Sequence, residues 1–583
     1  MRSLLTILML HLASSLSAQP PVWQWAARGG SPTNSANPFQ EEVVEMRTDK
    51  AGNVYLLCRV ATVQPLTLSG VPGSVTGYGQ SDILLLSYRK DGAFRWKKLI
   101  GGYWEERPRA LDLDTVGNIY IAGNVAPPHP VNNPGETLVH YDTDSIQPVG
   151  SAKRVFIAQY DTSGTFRWLR QLAPDTASEL TNSRYKIYDL IARPGGGVDV
   201  LCFLAAGPVY NGPTADSART FVLTYDAQGN ATALLKPQIT MDVLTGSNLA
   251  TSLVYFNVLR TRTGRFVVSG SQTFNTQPPY NDTLDFAGEP VRTSLFIGCF
   301  DEQWRLLWKK GNVIASGIIG QPAEDAAGNL YFAGGGWPGD VAAGFPVLNS
   351  QGNHSTPLLL KLNAAGNLLW GRTAGTNAST NAVAVAVQNN KVYLAGAYPG
   401  LLDFGGMSLE NPPNSLYDMF LATFDAGTGN ILRPDSLDST PGTNDRATAL
   451  ALSPGGQLYL AGHFAGDLQA GNTPIVAAGG LSDFFVVRTE VGNVATSATT
   501  PEALPEPILF PNPAASYVTV RPASGAATWI AVRLYTLSGQ LLASATGYRA
   551  VRLPVAAYPA GAYVVAVEDL RRRLVQRRIL LRQ

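Results

Sequence analysis

The sequence predicts an all-β fold: a seven-bladed β-propeller closed by an N-terminal strand, followed by a small C-terminal antiparallel β-sandwich. Three observations carry this expectation. A strand, turn, strand segment recurs along most of the chain; each copy is followed by a second such segment; and the sequence changes character after residue 507.

The first segment is clearest as RALDLDTVGNIYIAG, residues 109–123, with further copies in VVEMRTDKAGNVYLLCR, IGQPAEDAAGNLYFAGG, AVAVAVQNNKVYLAGAY and ATALALSPGGQLYLAGHF. Two weaker copies are DLIARPGGGVDVLCFL and NVLRTRTGRFVVSG. Their turn residues, Gly52, Gly117, Gly196, Gly264, Gly328, Asn390 and Gly456, recur roughly every 60 to 80 residues, the spacing of a repeat architecture. The second halves, such as SDILLLSYRKDGAFRWKKL and RVFIAQYDTSGTFRWLRQL, also alternate apolar residues around a tight turn. Four strands per unit is one propeller blade.

Asp114 can accept backbone N–H groups within its turn, and Gly117 can take the positive φ that closes a bulged hairpin. Calcium binding is the other use of such aspartates, but the dense carboxylate run of a calcium loop is missing. Trp96, Trp168, Trp308 and Trp370 share one repeat position, suited to docking one blade on the next. The last unit stops near Val491 without a fourth strand, whereas VWQWAARGG, residues 22–30, matches FRWKKLIGG, residues 94–102. Trp25 then falls within one residue of the Trp96 place, and the N-terminal strand is expected to complete the last blade, leaving no unpaired edge.

Composition agrees. The 583 residues are 45% hydrophobic and 15% charged, with 58 Gly and 39 Pro spread as turn punctuation. Met1, Arg2, the apolar run Leu4 to Leu12 and the small residues before Ala18 lay out a secretory signal peptide, residues 1–18, expected to be cleaved after Ala18. The propeller is placed at 19–491, a Pro, Thr and Ala linker at 492–507, and the sandwich at 508–583. In the sandwich, Val518, Val520, Val532, Leu534, Tyr563, Val565 and Val567 are expected to face the core. Cys58, Cys202 and Cys299 sit in apolar strands and read as buried free thiols; Cys58 and Cys202 occupy equivalent places two blades apart, too far for a disulfide.

From residue 507 onward there are ten Arg, no Lys, and two acids, Glu568 and Asp569, so the tail is +8 and the rest of the +1 chain is −7. Arg571, Arg572, Arg573, Arg577 and Arg578 could suggest nucleic acid, yet on an exported chain they read as solvated strand ends, and the acidic remainder offers nothing to a phosphate backbone. No nucleophile elbow, zinc helix, phosphate loop or paired-cysteine motif is present, and His129, His140, His354 and His463 are scattered. His140, Asp142 and Asp144 alternate within the insertion 124–153; on one strand they would share a face that could hold a divalent cation, or lie on a solvated edge without one. No cofactor, metal or catalytic residue is assigned.

LDFGG (402–406), TLDFAGE and DMFLATFD resemble the repeat propellers common in the Bacteroidota, over roughly residues 22–491. Asp161, Gly164 and Trp168 are similar in spacing to the tryptophan-docking motif of quinoprotein dehydrogenases, without their vicinal cysteines. Sialidase propellers are a further cousin, but their turn motif is not reproduced. The tail resembles the type A sorting domain of type IX secretion, on Pro511, Asn512 and Pro513, then Leu534, Tyr535 and Gly539, then Gly561 and Tyr563. That resemblance implies recognition by the outer-membrane translocon, cleavage by a surface peptidase, and either release or attachment to surface lipopolysaccharide, after passage through the periplasm.

The expected function is therefore a monomeric, secreted or cell-surface, non-catalytic binding scaffold. The alternative is an extracellular enzyme, such as a polysaccharide lyase, a glycosidase or a quinoprotein-like enzyme, with a site assembled from several blades. Convergence of carboxylates, Arg and Tyr at one channel mouth would favour the enzyme.

Overall fold

The computed structural model describes residues 23–32, 41–126, 154–172, 185–204, 219–242, 254–272, 295–313, 320–336, 354–411, 416–440, 443–470, 473–490, 508–521, 529–536, 540–548, 550–569 and 575–582, with short pieces at 139–141, 144–146, 206–209, 212–217, 283–286 and 289–291. The leader 1–18 and the linker 492–507 lie outside these residues. Among the described residues every regular element is a β-strand, and all paired strands run antiparallel. The chain divides into two compact units, Met1–Asn493 and Val494–Gln583.

In the larger unit, one four-strand plan repeats. Sheet 1 orders Glu42–Thr48, Val54–Ala61, Ser81–Tyr88 and Phe94–Gly101; sheet 2 orders Arg107–Leu113, Ile119–Val125, Arg154–Tyr160 and Phe166–Gln171. Sheet 3 comprises Tyr185–Ala192, Val198–Leu204, Arg219–Tyr225 and Ala231–Leu235; sheet 4 comprises Val254–Arg260, Phe266–Gln272, Leu295–Phe300 and Leu306–Val313. Sheet 5 comprises Ala323–Glu324, Leu330–Gly336, Thr356–Leu362 and Leu368–Thr373; sheet 6 comprises Asn381–Gln388, Lys391–Tyr398, Asp418–Asp425 and Ile431–Ser439. Sheet 7 takes Arg446–Leu452, Gln457–Phe464 and Asp483–Glu490, and its fourth strand is Trp23–Gly30, with Trp25 opposite Arg488. The expected contribution of the N-terminal strand is thus present.

The middle strands are buried on both faces, which is why they are continuous apolar runs: every residue of Ser81–Tyr88 and of Val198–Leu204 is buried. The turns follow from local chemistry. Asp114 Oδ1 accepts N–H groups from Val116 (3.0 Å) and Asn118 (2.8 Å), and Asp49 and Asp325 act in the same way. All seven turn residues identified in the sequence have positive φ, from 59° at Asn390 to 95° at Gly117. These carboxylates are ringed by amide donors, so the turn reading accounts for them.

The tryptophans dock one sheet on the next. Trp96 Nε1 donates to the Thr162 carbonyl (3.0 Å), Trp168 to Ala227 (3.1 Å), Trp308 to Ala364 (3.1 Å), Trp370 to Ala426 (3.2 Å) and Trp25 to Lys90 (2.8 Å). Each indole lies against the turn glycine of the neighbouring sheet. A Cβ on Gly164, Gly229, Gly366, Gly429 or Gly92 would come within 2.6 to 2.9 Å of it. Two junctions depart from the pattern, and both departures have a cause. Sheet 3 carries Ala233 at the tryptophan position, opposite Thr224, and sheet 4 carries Trp304 in place of the turn glycine, with φ of 60°. Trp304 is buried and stacks on Phe266, 4.4 Å between centroids, in the core cluster shared by these two sheets. Sheet 6 carries Arg433, opposite Thr423; in sheet 7 the third and fourth strands come from opposite ends of the unit, so no hairpin turn awaits an indole there.

Cys58, Cys202 and Cys299 are buried free thiols, as expected. In the smaller unit, Ile508–Phe510, Tyr517–Arg521 and Val551–Pro554 form one sheet; Leu541–Tyr548, Trp529–Thr536, Gly561–Asp569 and Val575–Arg582 form another. Val518, Val520, Val532, Leu534, Tyr563, Val565 and Val567 share one buried cluster, all seven on the faces that alternation assigned to the core.

Candidate functional site

The densest charged cluster in the larger unit is built from the first strands of several sheets. These strands carry bulges at matching places, between Val43 and Glu45, Pro108 and Ala110, Ile187 and Asp189, Ala382 and Ala384, and Ala447 and Ala449. A bulge re-aims the side chain that follows it. Where that residue is Ala110, Ala384 or Ala449 it is apolar, but in sheets 1 and 3 it is Glu45 and Asp189, both buried. Gln321, ahead of the first strand of sheet 5, donates from Nε2 to Glu45 (3.1 Å) and to Asp189 Oδ2 (3.0 Å), so one amide bridges the two carboxylates. Arg47 joins from sheet 1, with Nη2 2.7 Å from Glu45 and Nε 3.3 Å from Asp112 of sheet 2.

Carboxylates and an arginine therefore do converge, but their oxygens are committed. Glu45 Oε2 accepts the Leu111 N–H of sheet 2, Asp112 Oδ2 accepts Ala192 N–H of sheet 3 (2.8 Å), and Asp189 Oδ2 accepts Val258 N–H of sheet 4 (2.7 Å). Each acid stitches its own sheet to the backbone of the next. Burial pushes all three carboxyls above their ordinary range, against the pull of Arg47 and of these amides; burial lowers the Arg47 guanidinium, but the flanking acids outweigh it and leave the group raised. Such a cluster holds strands together; a general acid needs an oxygen free to reach a substrate. These residues were missed in the sequence, although a signal was there: the position seven before each turn glycine is Ala110 and Ala449 in two copies, but Glu45, Asp189 and Gln321 in others.

His140 and Asp144 do not share a strand. Val139–Tyr141 and Asp144–Ile146 pair as an antiparallel hairpin, with Tyr141 opposite Asp144, so the chain reverses between them and the single-strand alternation is lost. His140 instead stacks on Tyr78, 4.3 Å between ring centroids. Asp142 and His129 are outside the described residues. Among the described residues, no group of three or more His, Cys, Asp or Glu could hold a metal ion.

In the smaller unit the expected sorting residues fall at the ends of strands. Asn512 Oδ1 accepts Leu581 N–H (2.8 Å), and Ala514 N–H donates to the Leu581 carbonyl (2.7 Å), so the Pro511, Asn512, Pro513 segment is tied to the last strand. Leu534 is buried, Tyr535 sits between Leu541 and Val564, and Tyr563 donates its hydroxyl to the Pro559 carbonyl (2.7 Å). Gly561 pairs with Arg582; Gly539 and Arg571, Arg572 and Arg573 lie outside the described residues, and Arg577 and Arg578 are on Val575–Arg582.

Residues 508–581 match the family described as the secretion system C-terminal sorting domain. The tail is a type IX sorting domain. It marks the chain for export by that system, to the cell surface or the extracellular space. No curated protein matches the chain. Similar solved structures include PorZ, a surface component of the type IX secretion system of Porphyromonas gingivalis, at 10% identity over 95% of this chain and 100% of that one, TM-score 0.21. A glycoside hydrolase of family 32 from Bifidobacterium adolescentis is 8% identical over 81% of each chain, TM-score 0.27. Prolyl oligopeptidase B from Galerina marginata is 8% identical over 73% of this chain and 56% of that one, TM-score 0.26. Scores this low carry no argument about the role of this chain.

Proposed function

We propose that the larger unit is a seven-bladed β-propeller that serves as a non-catalytic binding scaffold at the cell surface or beyond it. Support for the ring comes from the links between successive sheets. Besides the docked tryptophans, Asp189 joins sheet 3 to sheet 4, Arg262 N–H donates to Glu324 between sheets 4 and 5 (2.8 Å), Asp445 N–H donates to the Tyr417 carbonyl between sheets 7 and 6 (2.9 Å), and Thr448 donates to the Val43 carbonyl between sheets 7 and 1. Each sheet is thus bonded to the one before and the one after, which supports the reading of a closed ring.

The observation that carries the non-catalytic reading is the commitment of Glu45, Asp112 and Asp189 to backbone amides of neighbouring sheets. Binding then falls to the loops that the rigid sheets display. The sorting domain would engage the type IX translocon and its surface peptidase through the Pro511, Asn512, Pro513 segment and the strands around Tyr535 and Tyr563. The test is a glycan and protein pull-down with the mature protein, assayed in parallel for polysaccharide cleavage. Capture without turnover is expected; turnover lost on Glu45→Gln would establish the enzyme instead. That second reading has one observation in its favour, the bridging of Glu45 and Asp189 by a single Gln321 amide.

A further inference from the structure

A second set of acids recurs at the sheet junctions, away from the Glu45 cluster. Glu41, Glu106 and Asp445 precede the first strands of sheets 1, 2 and 7, and each accepts the N–H of the residue 20 positions later: Ala61 (3.2 Å), Ala126 (3.2 Å) and Ala465 (2.7 Å). Each faces an aspartate at the start of the third strand of the preceding sheet. Glu106 N–H donates to the Ser81 carbonyl (2.9 Å), beside Asp82; Asp445 N–H donates to the Tyr417 carbonyl, beside Asp418; and Glu41 N–H donates to the Ser482 hydroxyl (3.0 Å), beside Asp483. All six carboxyls are buried.

Glycine makes room for two of these pairs. A Cβ on Gly101 would fall 1.9 Å from Asp82 Oδ1, and one on Gly30 would fall 1.9 Å from Asp483 Oδ1 and 2.8 Å from Glu41 Oε2. This accounts for Gly30 and Gly101, the last residues of the two outer strands. One oxygen of three of the acids meets an amide donor: Tyr78 N–H on Asp82 Oδ2 (2.8 Å), Ala126 N–H on Glu106 Oε1, and Ala478 N–H on Asp483 Oδ2; Glu41 accepts on both, Ser31 N–H on Oε2 (3.0 Å) and the Ser31 hydroxyl (2.7 Å) with Ala61 N–H on Oε1. Among the described residues, nothing donates a hydrogen bond to the buried Glu106 Oε2 or Asp483 Oδ1. Two buried carboxylates facing each other cannot both keep their charge.

Amide donors around the pair argue against a bound cation, which needs oxygen ligands turned toward it. They suit one carboxylate hydrogen-bonded to one neutral carboxylic acid. Sheets 5 and 6 show the same junction without charge: Thr380 N–H donates to the Ser355 carbonyl (2.7 Å), and Thr356 and Thr380 occupy the places of Asp82 and Glu106. At the junction of sheets 6 and 7, the Thr443 hydroxyl supplies the donor, 2.7 Å from Asp445 Oδ2.

We infer that the Asp82–Glu106 and Asp483–Glu41 pairs each share one proton across a sheet junction, which makes the larger unit a structure that loosens as pH rises. Other titrating neighbours are few. The Tyr141 phenol faces Glu106, the Cys58 thiol faces Glu41, and Arg28 lies 4.0 Å from Asp483. Burial is the main cause that lifts these acids: Glu41 is pushed up to about 8 and Asp483 to about 6, and Glu106 is raised well above its ordinary range by burial and by Asp82. A carboxyl raised on folding stabilises fully below its unfolded value and loses that contribution as pH climbs through its folded value.

The experiment is urea unfolding of the full protein between pH 5.5 and 8, comparing wild type with Asp82→Asn and Glu106→Gln, each of which replaces the shared proton by an amide hydrogen. Over that range each pair should raise the unfolding constant about tenfold per pH unit, so either single variant should lower the logarithmic slope by about one, and Asp82→Asn combined with Glu41→Gln by about two. Near-ultraviolet circular dichroism at pH 6 confirms that each variant is folded, and either of the two single variants suffices. Slopes equal to wild type in the folded variants would overturn the inference. So would a rise of the wild-type urea midpoint with added calcium that Asp82→Asn abolishes, since the pair would then hold a cation.

Discussion

Trp304 and Ala233 amount to an exchanged docking pair, and exchanging them back is the sharpest test of how the sheets are held together. Ala233→Trp combined with Trp304→Gly would rebuild at sheets 3 and 4 the arrangement seen where Trp168 covers Gly229. Trp304→Gly alone removes a buried indole stacked on Phe266, at about 3 to 5 kcal/mol, and regains about 1 kcal/mol from the left-handed backbone at φ 60°. The net loss should be about 2 to 4 kcal/mol. Ala233→Trp alone presses a second indole on a filled junction and should cost about 1 to 3 kcal/mol. In the double variant the new indole can lie on the new glycine and donate to the Glu302 carbonyl, so the combined loss should fall below the sum by about 2 kcal/mol or more. Urea unfolding of the four proteins gives the coupling directly. Additivity within about 0.5 kcal/mol would show that Trp304 does not stand in for the missing tryptophan, and the docking scheme would fail at this junction.

Three further outcomes follow from the same geometry. Gly429→Ala places a Cβ 2.8 Å from Trp370 at a φ of +70°, and should cost about 2 to 4 kcal/mol in urea unfolding; a loss under about 1 kcal/mol would mean that the indole yields freely. His463 is buried, and burial with Arg446 nearby pushes its imidazole down to about 4. Because the unfolded imidazole takes up a proton first, the contribution of this one group should be full above pH 6.5 and fall by about 3 kcal/mol as pH drops to 4, read as the difference between the pH profiles of wild type and His463→Gln. Tyr563→Ala removes a core aromatic of the sorting domain and should destabilise it by about 3 kcal/mol, so that the protein accumulates in the periplasm; undiminished export would show that recognition does not need the folded sandwich.

How much could be read without coordinates depended on the range of the forces involved. Alternation, turn glycines and the Asp that caps each turn act within a few residues, so the strands, the hairpins and the positive φ at all seven turn positions were legible in the chain. The fixed tryptophan position, and the match of VWQWAARGG to FRWKKLIGG, made even a long-range pairing legible, because a repeat states the same contact several times. The hairpin that separates His140 from Asp144 was not legible, since no glycine or proline marks a turn in the stretch from Val139 to Ile146. The sorting tail was readable from ordered local motifs alone.

By itself, then, the sequence determined an all-β chain of repeated four-strand units with an export tail, because periodicity and turn chemistry are local properties. Only the tertiary structure decided which acids meet. Glu45 and Asp189 are 144 residues apart in number yet share one amide of Gln321, and Asp82 meets Glu106 only because a glycine at position 101 leaves the space. The energy of such groups depends on burial and on which neighbours donate hydrogen bonds, and both are set by the packing of one sheet against the next.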